Sequence, residues 1–192
     1  MTAPTHDKPL RADARRNRDK LLAAAVDLFA ERGTEGSLEE VAKRAGVGIG
    51  TLYRHFPTRD ALVEAAYRNE VAQLRAAADE LLAELPPDRA LEAWMLRFVD
   101  YGAAKRGMRD ALQSMAGGAG SDLFAQTRAQ VTEAVAALLA AGVEAGALRS
   151  DVAAEDVLRA MGAIWVVPDS DDWAEEALRV LRPVMDGLRY RA

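Results

Sequence analysis

Apolar residues along this chain recur every three to four positions nearly from end to end, and no segment alternates convincingly with period two. That period is typical of amphipathic helices. Between residues 37 and 60 the predicted helices are short. One apolar face there follows the spacing i, i+3, i+4, i+7 and consists of Leu38, Val41, Ala42 and Ala45. Gly46 follows this face and can adopt the left-handed conformation that ends a helix.

Polar residues mark the ends of the helices in this segment. Ser37 and Glu40 form the S-x-x-E pattern of a capping box, so a helix is expected to begin at Leu38. Further on, Pro57 interrupts the helical pattern, and Thr58 can cap the helix that follows.

A second short helix is predicted to start near Gly48 or Ile49. Leu52 and Phe56 share its inward face. The positions left mostly outward form a mixture that a solvated helix face does not favour: Ile49, Gly50, Thr51, Tyr53, Arg54 and His55. Two short helices joined by a glycine turn are a helix-turn-helix, which places its second helix in the major groove of DNA.

The glycines at positions 48 and 50 call for a reason, because glycine costs about 1 kcal/mol relative to alanine inside a helix. The backbone there is expected to approach something closely. One candidate is a DNA backbone or base edge. The alternative is close packing of the two short helices on each other.

The remainder of the chain predicts longer helices and an all-α fold of about nine helices. They are expected over residues 59–84, 88–105, 108–116 and 121–141, then from 151–155 to about 167, and over 173–190. The predicted organisation is a disordered tail over residues 1–10, a three-helix DNA-binding domain over 11–58 and a helical bundle over 59–192. The glycine-rich stretch 117–120 is predicted to be a loop or hinge.

Residues 18–62 resemble the N-terminal domain of the TetR family of bacterial transcription regulators, through LLAAAVDLFAERG, SLEEVAKRAGV and GTLYRHFPTRDAL. The resemblance implies that Phe29 is buried and that Gly33 ends the first helix. It also implies that Arg59 clamps a DNA phosphate. The chain departs from the common pattern at Gly48, where relatives often carry Ser, and at Glu39, where a base-reading side chain sometimes stands.

The net charge of −5 is unevenly distributed, which fits a nucleic-acid partner for one end of the chain. Residues 1–60 carry 11 Lys and Arg against 9 Asp and Glu, whereas residues 61–192 carry 14 against 21. The basic residues near the start are predicted to form a partly disordered arm that contacts phosphates or the minor groove. The full set of predicted DNA contacts is Arg15, Arg16, Arg18, Ser37, Gly48, Ile49, Gly50, Thr51, Tyr53, Arg54, His55 and Arg59.

The C-terminal helices are rich in aromatic residues and methionine, which are ordinary core residues in most proteins. The resemblance implies instead a small-molecule pocket, and aromatic walls with flexible methionines suit an apolar or aromatic effector. The predicted ligand-binding residues are Trp94, Phe98, Tyr101, Met108, Met115, Phe124, Met161 and Trp165.

The resemblance also implies a homodimer built from the last two helices. The predicted interface consists of Val157, Leu158, Met161, Ile164, Leu178, Leu181, Met185 and Leu188. The predicted function is that of a repressor bound to double-stranded operator DNA with pseudo-palindromic half-sites. The effector is expected to release the repressor by shifting the separation of the two DNA-binding heads.

Composition argues against a membrane protein and against an enzyme. There is no cysteine, and no apolar run approaches the roughly 20 residues of a membrane span, so the protein is expected in the cytoplasm without a membrane partner. The two histidines, His6 and His55, lie in a predicted tail and in the recognition helix, so no catalytic triad, enzyme activity, metal site or cofactor is predicted. One alternative stays open, a helical ligand-binding or interaction protein that does not bind DNA.

Overall fold

The computed structural model describes residues 7–115 and 120–189 of the chain. Over these residues it contains nine α-helices and no named strand, so the all-α fold class is confirmed. The helices are α1 (Asp7–Arg32), α2 (Leu38–Ala45), α3 (Ile49–His55), α4 (Arg59–Glu84), α5 (Pro87–Gly107), α6 (Arg109–Met115), α7 (Gly120–Glu144), α8 (Ala154–Met161) and α9 (Trp173–Leu188). Two short 3-10 segments, Gly33–Glu35 and Gly162–Val166, follow α1 and α8.

The start of the chain differs from the prediction. Because α1 begins at Asp7, residues 7–10 are helical, whereas residues 1–6 of the predicted tail lie outside the described residues. The basic residues at positions 15, 16 and 18 likewise lie on α1 and not on a partly disordered arm. The segment contains many good helix formers, and Asp13 pairs with Arg16 one turn later, which supports a helix.

The C-terminal helices also differ from the predicted bounds. The helix predicted to reach residue 167 is α-helical only to Met161, and the backbone tightens into a 3-10 segment from Gly162, a residue that disfavours the α-helix interior. The last helix ends at Leu188, whose carbonyl accepts the Arg149 N–H at 2.9 Å. Of the predicted loop at 117–120, residues 117–119 lie outside the described residues and Gly120 begins α7.

Contacts divide the chain into two compact units. The first contains the described residues within Met1–Asn69 and Arg106–Gly118, and the second contains those within Glu70–Lys105 and Ala119–Ala192. Buried side chains from the early turns of α4, including Leu62 and Val63, belong to the first unit. Two helices, α4 and α5, each contribute residues to both units.

Within the described residues, no helix combines the length and the apolar character that crossing a membrane requires.

Candidate nucleic-acid interface

Helix α2 begins with a complete capping box, as predicted. The Glu40 N–H donates to Ser37 Oγ at 3.1 Å, and the Ser37 N–H donates to Glu40 Oε2 at 3.0 Å. The hydrogen bond from the Ser37 backbone is the main reason that the pKa of Glu40 lies below its ordinary value. Ser37 therefore fixes the start of α2, and its DNA contact stays a prediction.

The turn between α2 and α3 is set by Gly46. This residue has φ 67° and ψ 33°, the left-handed conformation predicted for it, and its N–H reaches the carbonyls of Ala42 and Lys43. The next hydrogen bond joins the Val47 N–H to the Ala42 carbonyl at 3.0 Å. Such a turn satisfies the last carbonyls of α2 and redirects the chain into α3.

Helix α3 is held by its inward residues. Leu52 and Phe56 are buried, as predicted, and so are Val41 and Ala42 on α2. The Thr58 hydroxyl accepts the Ala61 N–H at 3.1 Å and so caps α4. These contacts orient the outer face of α3.

Ion pairs join α1 to α2. The guanidinium of Arg44 binds both carboxylate oxygens of Glu31 at 2.7 Å, and Arg32 pairs with Glu40 at 2.9 Å. A two-pronged arginine–carboxylate pair restricts orientation as well as distance. The hydrogen bond from Arg44 lowers the pKa of Glu31 from its ordinary value of 4.5.

The outer face of α3 carries side chains that the described residues leave partly exposed. Ile49 is 39% exposed and Tyr53, one turn later, is 45% exposed. Gly50 and Arg54 lie beside them and are also exposed, whereas Thr51 and His55 are half-buried and less outward than the pattern predicted. An exposed apolar side chain, a phenol, an arginine and a stretch of bare backbone thus share one helix face.

The glycines at positions 48 and 50 do not serve packing within the described part of the chain. A Cβ added to either glycine would meet no described atom within 4 Å, so close packing of α2 on α3 does not explain them. Gly48 is the N-cap of α3 and lies outside the helix. The helical penalty for glycine therefore applies only to Gly50.

The arginines predicted to contact phosphates are placed in different ways. Arg59 donates from Nη2 to the Gly36 carbonyl at 2.6 Å and stacks over the Phe29 ring at 5.7 Å, so it ties the start of α4 to the turn before α2. Arg18 lies over the ring of Phe56 at 5.8 Å. Arg15, Arg16 and Arg54 are exposed on the first unit. Their contacts with phosphates stay predictions.

Four of the predicted ligand-binding residues form one aromatic cluster in the second unit. Ring centroids are 5.9 Å apart for Trp94 and Phe98, 5.7 Å for Phe98 and Tyr101, and 6.2 Å for Tyr101 and Trp165. Trp94 Nε1 also donates to the Leu74 carbonyl at 2.8 Å. These side chains contact one another as a core does.

The other predicted ligand-binding residues are dispersed. Met161 is fully buried and Phe124 half-buried in the second unit, while Met108 and Met115 belong to the first unit. The structure therefore does not assemble all eight residues into one compact unit, because α5 crosses between the units just before Met108. The ligand site stays a prediction.

An open groove of about 330 Å³ lies between α4 and α5 in the second unit, and only Tyr101 of the predicted ligand-binding residues borders it. Its lining is largely polar: Glu70, Gln73, Leu74, Ala76, Ala77, Glu80, Arg97, Asp100 and Tyr101. The groove depends on how α4 and α5 pack against each other, so the sequence pattern did not indicate it.

Most of the predicted dimer-interface residues are core residues of the chain itself. Seven of the eight are buried, namely Val157, Leu158, Met161, Ile164, Leu181, Met185 and Leu188, and only Leu178 is partly exposed. The prediction of these seven side chains as contacts with a second chain needs correction, because a side chain buried in its own fold has no free surface for a partner. Dimerisation through α8 and α9 stays a prediction.

Family models match both parts of the chain. The model described as "Bacterial regulatory proteins, tetR family" matches residues 21–66, and the model described as "Transcriptional regulator SbtR-like, C-terminal domain" matches residues 86–190. The first match contains α2, α3 and their capping and turn residues, and the second contains the aromatic cluster.

Known proteins resemble the chain over different lengths. A TetR transcriptional regulator of Streptomyces coelicolor is 49% identical, with a TM-score of 0.84, and the alignment covers 91% of this chain and 99% of that one. A TetR regulatory protein of Mycobacterium vanbaalenii is 38% identical, with a TM-score of 0.78 and coverage of 95% and 100%. Among curated relatives, an HTH-type transcriptional regulator of Staphylococcus aureus (strain USA300) is 44% identical over 54 residues, which span 28% of this chain and 29% of the relative.

Proposed function

Because the chain belongs to the TetR family of bacterial transcriptional regulators, we propose that it is a repressor. It binds a pseudo-palindromic operator as a homodimer, and a small, mostly apolar effector releases it. The outer face of α3 is the observation that carries the DNA-binding part of this proposal.

That face has the properties of a surface that meets a duplex. Tyr53 and Arg54 can donate hydrogen bonds to phosphates or base edges, and the open backbone at Gly50 lets the helix approach closely. The capping box and Gly46 hold α3 at a defined angle to α2. A helix held in this way, with an exposed outer face that can donate hydrogen bonds, matches the requirement for entering a major groove.

The charge distribution supports binding to an anionic partner. Positive charge is concentrated on the first unit, where exposed arginines at positions 15, 16 and 54 can neutralise phosphates. Each neutralised phosphate releases counterions, so affinity should fall steeply as salt rises. A homodimer would present two recognition helices about 34 to 36 Å apart, which corresponds to one turn of DNA.

The repressor is released from DNA when the dimer shifts between two conformations that differ in the distance between their two DNA-binding domains. Helix α4 contributes residues to both compact units. A shift of α4 caused by an effector would therefore be passed along the helix to the unit that carries the DNA-binding residues. An effector that binds one conformation better shifts the equilibrium toward it, and operator DNA must weaken effector binding by the same factor. The rings of Phe98, Tyr101 and Trp165 would separate to admit such a molecule, because they contact one another in this structure.

The DNA-binding step is tested by selecting duplexes from a random pool and measuring their affinity by fluorescence anisotropy. We expect a pseudo-palindromic duplex whose affinity falls with salt and is lost in the double variant Tyr53→Ala/Arg54→Gln. The matched control is Arg97→Gln, which removes an exposed arginine of α5 in the second unit and should leave affinity unchanged. If the folded protein retained no duplex, the alternative of a helical ligand-binding or interaction protein would be favoured.

The release step is tested separately with a panel of apolar and aromatic small molecules. Binding is followed through the fluorescence of Trp94, Trp165 and Trp173, and operator affinity is measured with and without each compound that binds. We expect at least one compound to weaken operator binding, and operator DNA to weaken that compound's binding by an equal factor. Ligands that bind without changing operator affinity would contradict the release mechanism while leaving DNA binding intact.

A further inference from the structure

Ile49 is an unusual residue for the outer face of a recognition helix. It is a β-branched apolar side chain, it is 39% exposed, and it stands in the first turn of α3. Tyr53 lies one turn further on the same face, but its hydroxyl can form hydrogen bonds. The side chain of Ile49 can form none, so an apolar group is its most favourable partner on DNA.

The positions on either side of Ile49 have no side chains. Gly48 and Gly50 flank it, and the space where their Cβ atoms would lie contains no described atom within 4 Å. Ile49 therefore projects from a stretch of bare backbone, where no neighbouring side chain on either side holds it away from a docked surface. Thr51, the next residue with a side chain, is half-buried.

The major groove offers one strongly apolar group. Guanine, cytosine and adenine present hydrogen-bond donors and acceptors there, whereas thymine adds a C5-methyl group. An isoleucine pressed against a polar base edge or a phosphate would remove water without replacing its hydrogen bonds, which is unfavourable. Contact with a methyl group carries no such penalty.

We infer that Ile49 reads a thymine methyl group in each half-site of the operator. This inference rests on the proposed DNA-binding function and deepens it by naming a specificity-determining residue and its base. It also assigns the bare backbone at positions 48 and 50 a role, because the methyl group can be reached only if α3 lies close to the base edges. Base recognition by α3 is then partly apolar, with polar contacts from Tyr53 and Arg54.

The expected size of the effect follows from the burial of one methyl group. Removing it from a buried contact lowers affinity about fourfold. A symmetric operator contains the contact twice, so removing both methyl groups should lower affinity by about 15-fold if the half-sites act independently.

The test replaces thymine by deoxyuridine, which lacks only the methyl group. The duplex retained by the wild-type protein from the random pool is synthesised with one symmetric pair of thymines at a time changed to deoxyuridine. We expect one pair to lower wild-type affinity by about 15-fold. Ile49→Ala should bind the unmodified duplex more weakly and should be indifferent to the change at that pair.

Two further variants test whether Ile49 or Thr51 contacts the thymine methyl group. Ile49→Val keeps a shorter branched side chain and should keep part of the sensitivity, whereas Thr51→Ser removes the methyl group of the next residue with a side chain on α3 and should keep all of it. Leu96→Ala, at an exposed apolar residue of α5, should bind every duplex as the wild type does. Circular dichroism checks that each variant is folded. We expect all of them to fold, because none of the changed positions is fully buried.

The outcomes separate the inference from the function on which it rests. If the wild-type protein binds its duplex but tolerates deoxyuridine at every pair, the inference is wrong and the DNA-binding function stands. If Ile49→Ala remains as sensitive as the wild type, another residue reads the methyl group and the assignment to Ile49 is wrong. If no duplex is retained at all, the proposed function fails and this inference fails with it.

Discussion

Replacing Gly50 by alanine should make the protein more stable and worse at binding DNA. Gly50 lies inside α3, and its φ is not among the positive values of the described chain. A Cβ at this position meets no described atom within 4 Å, so alanine fits without strain. Because glycine is less favourable than alanine in a helix, the free energy of unfolding should rise by about 0.5 to 1 kcal/mol.

The same methyl group should weaken the complex with DNA. If the backbone of α3 lies against base edges, a Cβ at position 50 occupies the space that the duplex needs. Forcing an extra methyl group into a close contact costs about 1 to 3 kcal/mol. At 1.4 kcal/mol for each factor of ten, the affinity of one half-site should fall between about 5-fold and 150-fold.

The two effects are measured separately, by urea denaturation and by anisotropy with the selected duplex. The matched control is Gly187→Ala in α9, where a Cβ also meets no described atom within 4 Å. It should stabilise the fold slightly and leave DNA affinity unchanged. If Gly50→Ala bound DNA as tightly as the wild type, the inference that α3 lies close to DNA would be wrong. If the variant destabilised the fold, the space around Gly50 would not be open.

Three further predictions concern the fold of the first unit, each checked by urea denaturation. Gly107→Ala should lower the free energy of unfolding by about 1 to 3 kcal/mol, because its Cβ would lie 2.4 Å from the carbonyl oxygen of Phe29; an unchanged value would contradict this contact. Ser37→Ala should cost about 1 kcal/mol through loss of the helix cap, and Ser37→Asp should restore most of it. The pairing of Glu31 with Arg44 holds the pKa of the Glu31 carboxyl below its ordinary value of 4.5 in the folded state. The pair therefore stabilises the fold above pH 4.5, and this stabilisation is lost as the pH falls through the lowered pKa. On acidification, the free energy of unfolding of Arg44→Gln should fall less than that of the wild type.

The elements that could be predicted from the sequence are those determined by neighbouring residues. The capping box of Ser37 and Glu40, the left-handed Gly46 and the Thr58 cap all act within three or four residues, so each pattern implies its own hydrogen bonds. The family resemblance rested on the same local motifs and is confirmed. The start of α3 was predicted near Gly48 or Ile49, and the helix begins at Ile49.

The features that could not be predicted depend on how helices pack. Glu31 and Arg44 are 13 residues apart in the chain, and nothing in their spacing indicates that α1 and α2 bring them together. The apolar stripes of α8 and α9 present the same difficulty. Met161 and Leu181 have the spacing of an interface, but a stripe looks alike whether it faces its own core or a second chain, and here both side chains are buried in the core.

The surroundings of each glycine show which of two reasons accounts for it: a close contact within the fold or a contact outside it. At Gly36, a Cβ would collide with the side chain of Leu28 at 2.6 Å, and at Gly107 it would collide with the backbone of α1, so the fold itself accounts for both. Gly48 and Gly50 have open space and lie next to and in one exposed helix turn, where serine would be a better N-cap at position 48 and alanine would stabilise the helix at position 50. A glycine that costs stability and serves no contact within the chain is best explained by a contact outside it. The stability gained and the affinity lost on adding one methyl group at position 50 therefore measure directly whether that contact is DNA.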